Sequence, residues 1–269
     1  FIQAENLFRI GIITLASAPF LSSIFFLIAI LSVKNSEVNF FEDKWNIPLI
    51  ISSFWMIIGL VYLNTNVNSS ILKNQWDSNL SLVGLFNWIP FFWFFWKCQN
   101  FVKSAEQRRK CAIFFIIGTF PVLISGFGQF YFGWEGPLEL FNGFIIWYQR
   151  PLNGISGMTG MFNNPNYTGA WLSFIIPFTL ASFQEDRKSI LIRASSFLNF
   201  SMVFLGLIIT YSRSAWICSL VALLFQNLDK KFLKFIKIFL ILLLFIIPIF
   251  FVFKENILFI INKIIPSIF

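Results

Sequence analysis

The chain is dominated by apolar stretches of roughly 17 to 24 residues, separated by short polar connections. Each stretch is long enough to cross about 30 Å of hydrocarbon as an α-helix. The pattern therefore predicts an all-α fold, a polytopic transmembrane helical bundle of about eight helices that forms a single transmembrane domain over 1–269. The predicted helices cover 10–33, 47–63, 80–96, 111–129, 166–183, 195–211, 214–228 and 236–253.

Composition supports a membrane as the solvent. The chain is 57% hydrophobic and only 12% charged, with a mean hydropathy of +0.76. A soluble domain is usually about half apolar and a quarter charged. A water-soluble fold could not bury this much apolar surface, so we expect a multi-pass protein of a bacterial inner (plasma) membrane. The chain starts at Phe1 and its last residues follow an apolar stretch closely, so we also expect it to be a piece of a longer protein.

The basic residues predict the topology. Fourteen of the twenty Lys and Arg residues fall in four alternate connections, which positive-inside retention places in the cytoplasm. These connections are 34–46, 97–110, 184–194 and 229–237. The most basic of them is 97–110, which we interpret as a positive-inside signal that keeps this connection in the cytoplasm rather than as a nucleic-acid site. The other six basic residues are assigned to the external or periplasmic face: Arg9, Lys73, Arg150, Arg213, Lys254 and Lys263.

The same count requires the chain to turn back at 211–214. One long helix through Arg213 would put two basic connections on opposite faces of the membrane. The longest external connection is then 130–165, which is rich in Gly, Asn and Pro. Within it, the aromatic stretch 138–148 is too short to span and is predicted to lie at headgroup level.

Two polar motifs are predicted to start helices at the external face. In the first, Asn164 has the chemistry of an N-cap, and Pro165 suits the first helical position. In the second, Ser212 or Ser214 can cap the next helix. Each helix start presents backbone N–H groups, and each has an arginine nearby in sequence, Arg150 and Arg213 respectively. This combination binds phosphate or carboxylate, so we predict an external diphosphate site. The alternative is that Asn-Pro is an ordinary helix start and that the arginines are interfacial anchors.

The chain contains no histidine, and its three cysteines lack metal-ligand spacing. The commonest general base and the commonest metal ligand are therefore missing. We predict no metal and no cofactor.

The two motifs carry a resemblance. The stretch FNNPNYTGAWLSFIIP, followed about 45 residues later by ITYSRSAWICSLVALL, resembles the O-antigen ligase and polymerase family of bacterial membrane proteins. The similarity covers 150–225 as a ligase-like core, preceded by N-terminal helices over 10–129. It implies a metal-independent, inverting glycosyl transfer in lipopolysaccharide or polysaccharide biosynthesis. The donor would be a glycan on undecaprenyl diphosphate, and the acceptor a sugar hydroxyl on lipid A–core or on another glycan.

The resemblance also implies roles for individual residues. Arg213, in the Ser-Arg pair, would stabilise the departing diphosphate, and Arg150 would hold the other phosphate. The remaining residues, assigned to substrate binding, are Asn163, Asn164, Asn166, Tyr211 and Ser212.

The chain departs from the family in one respect. Family ligases use a histidine on a large periplasmic loop, whereas this chain has no histidine and stops where that loop would begin. Glu135 and Glu139 are expected on the external face, where the diphosphate site is predicted, but no general base can be named from them. This chain alone could therefore be inactive. Two alternatives stay open: an inorganic-ion transporter, since some relatives are described as bicarbonate transporters, and a non-catalytic component of envelope-glycan assembly.

Overall fold

The computed structural model describes residues 2–33, 39–66, 78–152, 157–185 and 189–227. The protein is mostly helical, and the described residues contain eight α-helices and one β-hairpin. The helices are α1 (Ile2–Thr14), α2 (Pro19–Ser32), α3 (Ile47–Asn66), α4 (Ser78–Cys98), α5 (Ala105–Phe132), α6 (Pro165–Gln184), α7 (Ile190–Ile209) and α8 (Arg213–Asn227). Two 3₁₀ turns, Lys44–Asn46 and Gln99–Phe101, precede α3 and follow α4.

Membrane character is visible in the length and polarity of the helices. Within the described ranges, four helical segments are long and apolar enough to cross a membrane: Lys44–Thr65, Asn79–Phe101, Ala105–Phe132 and Ile190–Ile209. The first two are almost entirely unburied by protein, with only 6% of their apolar window covered. Apolar surface of this extent is compatible with a membrane protein.

The prediction of one spanning helix over 10–33 is wrong. The chain forms two shorter helices, α1 of 13 residues and α2 of 14, joined by a turn over 15–18. Pro19 is the physical reason, because a proline disfavours helical geometry in the preceding residue and suits the first position of a new helix. Ala18 accordingly has φ −148° and ψ 68°, outside the helical region.

The two short helices pack as an antiparallel hairpin. The rings of Phe8 and Phe26 lie 5.1 Å apart, and the Ser22 hydroxyl donates a 2.7 Å hydrogen bond to the carbonyl of Gly11. Phe8 also stacks on Phe101, at 4.4 Å between ring centroids. These rings belong to a buried apolar cluster that ties the hairpin to the start of α5.

The hairpin changes the predicted side of Arg9. Glu5 accepts a 2.8 Å hydrogen bond from the Gln107 side chain, so α1 begins beside the start of α5, at the end of the bundle that carries the basic connection 97–110. Arg9 forms an ion pair with Glu5 at 2.7 Å. Its assignment to the opposite, external face is therefore wrong. The rest of the predicted topology is unaffected. The hairpin and the predicted single span both end just before the connection 34–46, which therefore stays on the cytoplasmic side.

Helix α5 is the central element. It begins with a capping box in which Ser104 and Gln107 each accept from the other's backbone N–H, and it ends at Gly133 in the left-handed conformation. Helix α6 runs antiparallel to it: Arg109 pairs with Glu185 at one end, and Trp171 donates to the Thr119 hydroxyl nearer the other. Helix α7 returns along α6.

Most of the other predicted helices are confirmed within a few residues. The largest shifts are at two starts: α5 begins at Ala105 rather than 111, and α7 at Ile190 rather than 195. The predicted break between the sixth and seventh helices is confirmed, because α7 ends at Ile209 and α8 begins at Arg213. The predicted helix over 236–253 lies outside the described residues.

The all-α expectation needs one local correction. Strands β1 (Leu138–Leu140) and β2 (Ile145–Trp147) pair antiparallel, with Glu139 opposite Ile146. The turn between them places Phe141 and Asn142 at positive φ. Exposed aromatic side chains on this hairpin and just after it, Phe141, Phe144 and Tyr148, are compatible with the predicted headgroup position.

The chain divides into two compact units, Phe1–Ala215 and Trp216–Phe269. The first contains α1 to α7, the β-hairpin and the first turn of α8. In the second, the described residues are the remainder of α8, an apolar helix with largely exposed side chains.

The hairpin predicts a specific labelling pattern. In a variant whose three native cysteines are replaced by alanine, Asn6→Cys should react with an impermeant maleimide from the same membrane side as Lys103→Cys. It should be protected on the side where Phe141→Cys reacts. Comparing intact cells with inside-out vesicles measures this, and reaction of Asn6→Cys together with Phe141→Cys would restore the single span.

Close packing of α1 on α5 predicts an asymmetry between glycines. A Cβ at Gly118 would lie 2.7 Å from the Ile13 carbonyl oxygen, whereas a Cβ at Gly59 would meet nothing within 4 Å. We expect Gly118→Ala to lower the unfolding free energy by about 1–3 kcal/mol, because backbone must move. Gly59→Ala, the matched control, should be neutral or stabilising by about 1 kcal/mol. Thermal unfolding in detergent compares the two, and equal melting temperatures would contradict the close packing.

Candidate functional site

The two polar motifs meet at one end of the bundle, where α5 ends, α6 begins, α7 ends and α8 begins. We call this region the polar end and define it by Gln129, the segment 157–161, and the turns 163–166 and 210–213. All of it belongs to the first compact unit. By the predicted topology it lies at the external face.

A buried non-helical segment, 157–161, lies at the centre of the polar end. All five of its residues are buried, Met158 completely. Backbone N–H and C=O groups outside a helix have no local partners, and leaving them unpaired away from water costs free energy. The segment therefore needs partners from the helices around it.

The side chain of Gln129 supplies partners for two of those backbone groups and for one side chain of the segment. Its Oε1 accepts from the backbone N–H groups of Thr159 and Gly160, at 2.9 and 3.0 Å. Its Nε2 donates to the Thr159 hydroxyl at 2.8 Å and to the carbonyl of Arg150. Gln129 is only 2% exposed. One carboxamide therefore joins the end of α5 to both Arg150 and the buried segment.

Further bonds attach the segment to the neighbouring elements. Met158 donates its N–H to the carbonyl of Ile209 at 2.9 Å, and Met161 accepts from the N–H of Tyr148 at 3.0 Å. The Thr168 hydroxyl on α6 donates to the Thr159 carbonyl. The segment thus connects α6, the end of α7 and the strand leading to Arg150.

Gly157 allows the closest approach at this site. A Cβ at this position would collide with the carbonyl of Thr210, so no other residue fits without moving the end of α7. The contact brings the first motif region against the turn that leads to Arg213.

The start of α6 is as predicted. The Asn164 side chain accepts a 2.8 Å hydrogen bond from the N–H of Asn166, and Pro165 is the first helical residue. Asn163, just before the cap, is half-buried.

The start of α8 lies directly beside it. Ser212 is buried, and its hydroxyl donates a 2.9 Å hydrogen bond to Oδ1 of Asn166. Gly169 makes room for this contact, since a Cβ there would lie 2.9 Å from the Ser212 Cβ. Tyr211 is half exposed and adopts φ 54°, which turns the chain sharply between α7 and α8. The structure therefore places Asn166, Ser212 and Tyr211 together.

Both predicted arginines are exposed at the polar end. The N–H of Arg150 donates to the Thr159 hydroxyl at 3.2 Å, so its backbone is fixed while its side chain extends outward. Arg213 is the first residue of α8. Among the described residues, neither guanidinium group has a hydrogen-bond or ion-pair partner. Within the described ranges, both are free to bind an anion.

The donors of the polar end are guanidinium, amide and hydroxyl groups, which suit anions and sugar hydroxyls better than metals. In the described part of the chain, no three His, Cys, Asp or Glu side chains are grouped to hold a metal ion. Glu135 and Glu139 are exposed, in the loop after α5 and on β1. No general base can be named from them.

Sequence reasoning missed the interior of the site. The hydropathy pattern predicts Gln129 only as the end of an apolar helix, and it indicates no role for Thr159 or Gln149. Gln149 is fully buried at φ 33° and donates to the Ser125 carbonyl at 2.9 Å. Its Oε1 and the Ser125 hydroxyl have no partner among the described residues. The sequence does contain one indication of this site. Gln129 is a long amide side chain inside an otherwise apolar helix, and such polar side chains are rare there because burying them in lipid costs free energy.

Comparisons with known proteins returned nothing. No protein-family model matches the chain, and no curated protein and no solved structure matches it.

The four bonds of Gln129 predict a strong effect of its removal. Gln129→Leu has a similar volume but leaves two buried N–H groups and a carbonyl unpaired, at about 1–3 kcal/mol each. We expect loss of the folded, monodisperse protein in detergent. Gln129→Glu keeps the acceptors and loses the donors. Its melting temperature should therefore fall between those of the wild type and Gln129→Leu.

Gln99→Leu is the matched control, because Gln99 is exposed in a turn at the other end of the bundle. It should behave as wild type in size-exclusion profile and melting temperature. If Gln129→Leu did so as well, the buried segment would not depend on this side chain.

Proposed function

We propose that the protein is a membrane glycosyltransferase of the O-antigen ligase/polymerase type. It takes a glycan from undecaprenyl diphosphate and transfers it to a sugar hydroxyl on lipid A–core or on another glycan repeat. The reaction occurs at the polar end, on the periplasmic side of the bacterial inner membrane. The proposal combines the motif resemblance with the arrangement of the site.

The observation that carries the proposal is the Ser212–Asn166 hydrogen bond, which holds two helix starts side by side. A helix start presents N–H groups and a partial positive charge, and so attracts phosphate. Arg150 and Arg213 add two full positive charges without protein counter-ions among the described residues. Two adjacent anion-binding features suit a ligand with two linked phosphates.

The chemistry needed at such a site is charge stabilisation. As the bond between the sugar and the diphosphate breaks, negative charge develops on the departing oxygen. A guanidinium placed there binds the transition state more tightly than the ground state. Arg213 takes this role and Arg150 holds the second phosphate, with bidentate hydrogen bonds available to each.

The amides and hydroxyls complete the site. Asn164 fixes the start of α6 through its cap bond, and Asn166 is oriented by Ser212. Asn163 and Tyr211 flank the two starts and are available to the sugar. Preorganised donors of this kind do not have to reorient during the reaction.

The proposal predicts that both arginines are needed for transfer. In a deletion strain lacking its own ligase, the full-length gene with Arg213→Gln should lose about 100-fold or more of its glycan-transfer rate, as expected for a lost transition-state donor. Arg150→Gln should show a smaller loss, through weaker donor binding. Surface glycan is measured on gels and by lectin or antibody staining at equal protein levels.

Arg193→Gln provides the matched control. Arg193 is an exposed arginine in the first turn of α7, at the opposite end of the bundle, so its loss should leave transfer unchanged. Normal glycan with both Arg150→Gln and Arg213→Gln would sink the glycosyltransferase proposal. A transporter or a non-catalytic assembly component would then be the better interpretation.

A further inference from the structure

A cavity with charged walls lies at the other end of the bundle, away from the polar end. It has a volume of about 660 Å³ and lies between the turn at 39–42, α3 and α4. That volume is within the range of small-molecule sites, about 300–1,000 Å³. The proposed glycan transfer makes no use of it.

Lys97 is the unusual residue of this cavity. It is only 8% exposed, and its ammonium group lies 5.1 Å from the ring centroid of Trp96 and 6.0 Å from that of Trp93. Such rings attract a cation but do not neutralise it. Among the described residues Lys97 has no carboxylate partner. A buried charge is costly where the described residues supply no counter-ion, and the negative charge of a ligand would stabilise it.

A carboxylate also lines the cavity without contacting this lysine. Glu42 accepts a 3.1 Å hydrogen bond from the Asn39 side chain, and no ion pair joins it to Lys97 among the described residues. The cavity wall therefore presents one positive and one negative group, separated from each other. A ligand that carries both a phosphate and an ammonium group complements this pair.

The walls become apolar with depth. Lys97 and Glu42 lie near the end of α4 and the start of α3, whereas Ile89 and Ile50 line the cavity further along those helices. Eight residues separate Ile89 from Lys97, which corresponds to about 12 Å along a helix. Phe92 and the two tryptophan rings lie between these levels. The ligand is therefore amphiphilic, with its charges at the membrane surface and its apolar part towards the bilayer interior.

We propose that this cavity binds the headgroup of a zwitterionic aminophospholipid of the phosphatidylethanolamine type. Lys97 pairs with the phosphate, and Glu42 accepts hydrogen bonds from the primary ammonium group. The aromatic and aliphatic walls contact the glycerol and the upper acyl chains. The site lies on the predicted cytoplasmic face, opposite the glycan site.

The test measures lipid retention by the purified full-length protein. Wild type in detergent is incubated with equal amounts of phosphatidylethanolamine and phosphatidylglycerol, and bound lipid is counted by native mass spectrometry. We expect preferential retention of phosphatidylethanolamine. Lys97→Met keeps the apolar stem and removes the charge, and it should lower this retention about tenfold, as for one charge-assisted bond.

Two further variants separate the roles of the two charged groups. Glu42→Gln should abolish the preference for phosphatidylethanolamine over phosphatidylglycerol while keeping binding to both. Lys103→Met removes an exposed lysine from the same end of the bundle and should retain lipid as wild type does. Each variant is compared by melting temperature, and Lys97→Arg, which keeps the charge, should restore retention.

Three results would overturn the proposal. One is equal retention of phosphatidylethanolamine by wild type and by a folded Lys97→Met protein. Another is a wild type that retains both lipids equally, which would remove the role of Glu42. The third is displacement of the lipid by millimolar inorganic phosphate, which would show a free-phosphate site. None of these results depends on glycan transfer, so this proposal and the glycosyltransferase proposal can fail separately.

Discussion

The carboxamide of Gln129 makes four hydrogen bonds to groups that have no partner in regular secondary structure. In an apolar solvent, backbone that leaves a helix is tolerated only where protein satisfies it. The segment 157–161 can therefore be buried because one long side chain at the end of α5 reaches it. The positions of Arg150 and of the α7–α8 turn both follow, since each is bonded to that segment.

Small residues give the bundle its close contacts. Without a hydrophobic force between helices in lipid, association depends on packing and on interhelical hydrogen bonds. Gly118 brings α5 against the backbone of α1, and Gly169 brings α6 against the turn before α8. The hydrogen bond from Ser212 to Asn166 forms across the second of these contacts. At the polar end, the close helix contact at Gly169 therefore also sets the geometry of the candidate site.

Sequence reasoning predicted the parts of this architecture that have local causes. Asn164 and Pro165 form a helix start through their own side chains. The turn before Arg213 is required because the basic connections on either side of it must lie on the same face of the membrane. The hairpin of α1 and α2 was missed because hydropathy treats 10–33 as one apolar run, although Pro19 interrupts it. The role of Gln129 could not be predicted, since its partners lie up to 31 residues away in the chain. Whether the motifs perform glycan transfer is not decided by local patterns and needs the rate measurement.

The lengths of the helices have a consequence for the surrounding bilayer. Helix α5 has 28 residues and extends about 42 Å, whereas the arms of the α1–α2 hairpin have 13 and 14 residues and extend about 20 Å. The tip of the hairpin packs against Val122 and Met161 through Ala16. Lipids beside the hairpin therefore meet an apolar surface shorter than the usual hydrocarbon thickness. We expect this mismatch to thin a surrounding membrane on that side of the protein, which favours bilayers that bend or thin easily.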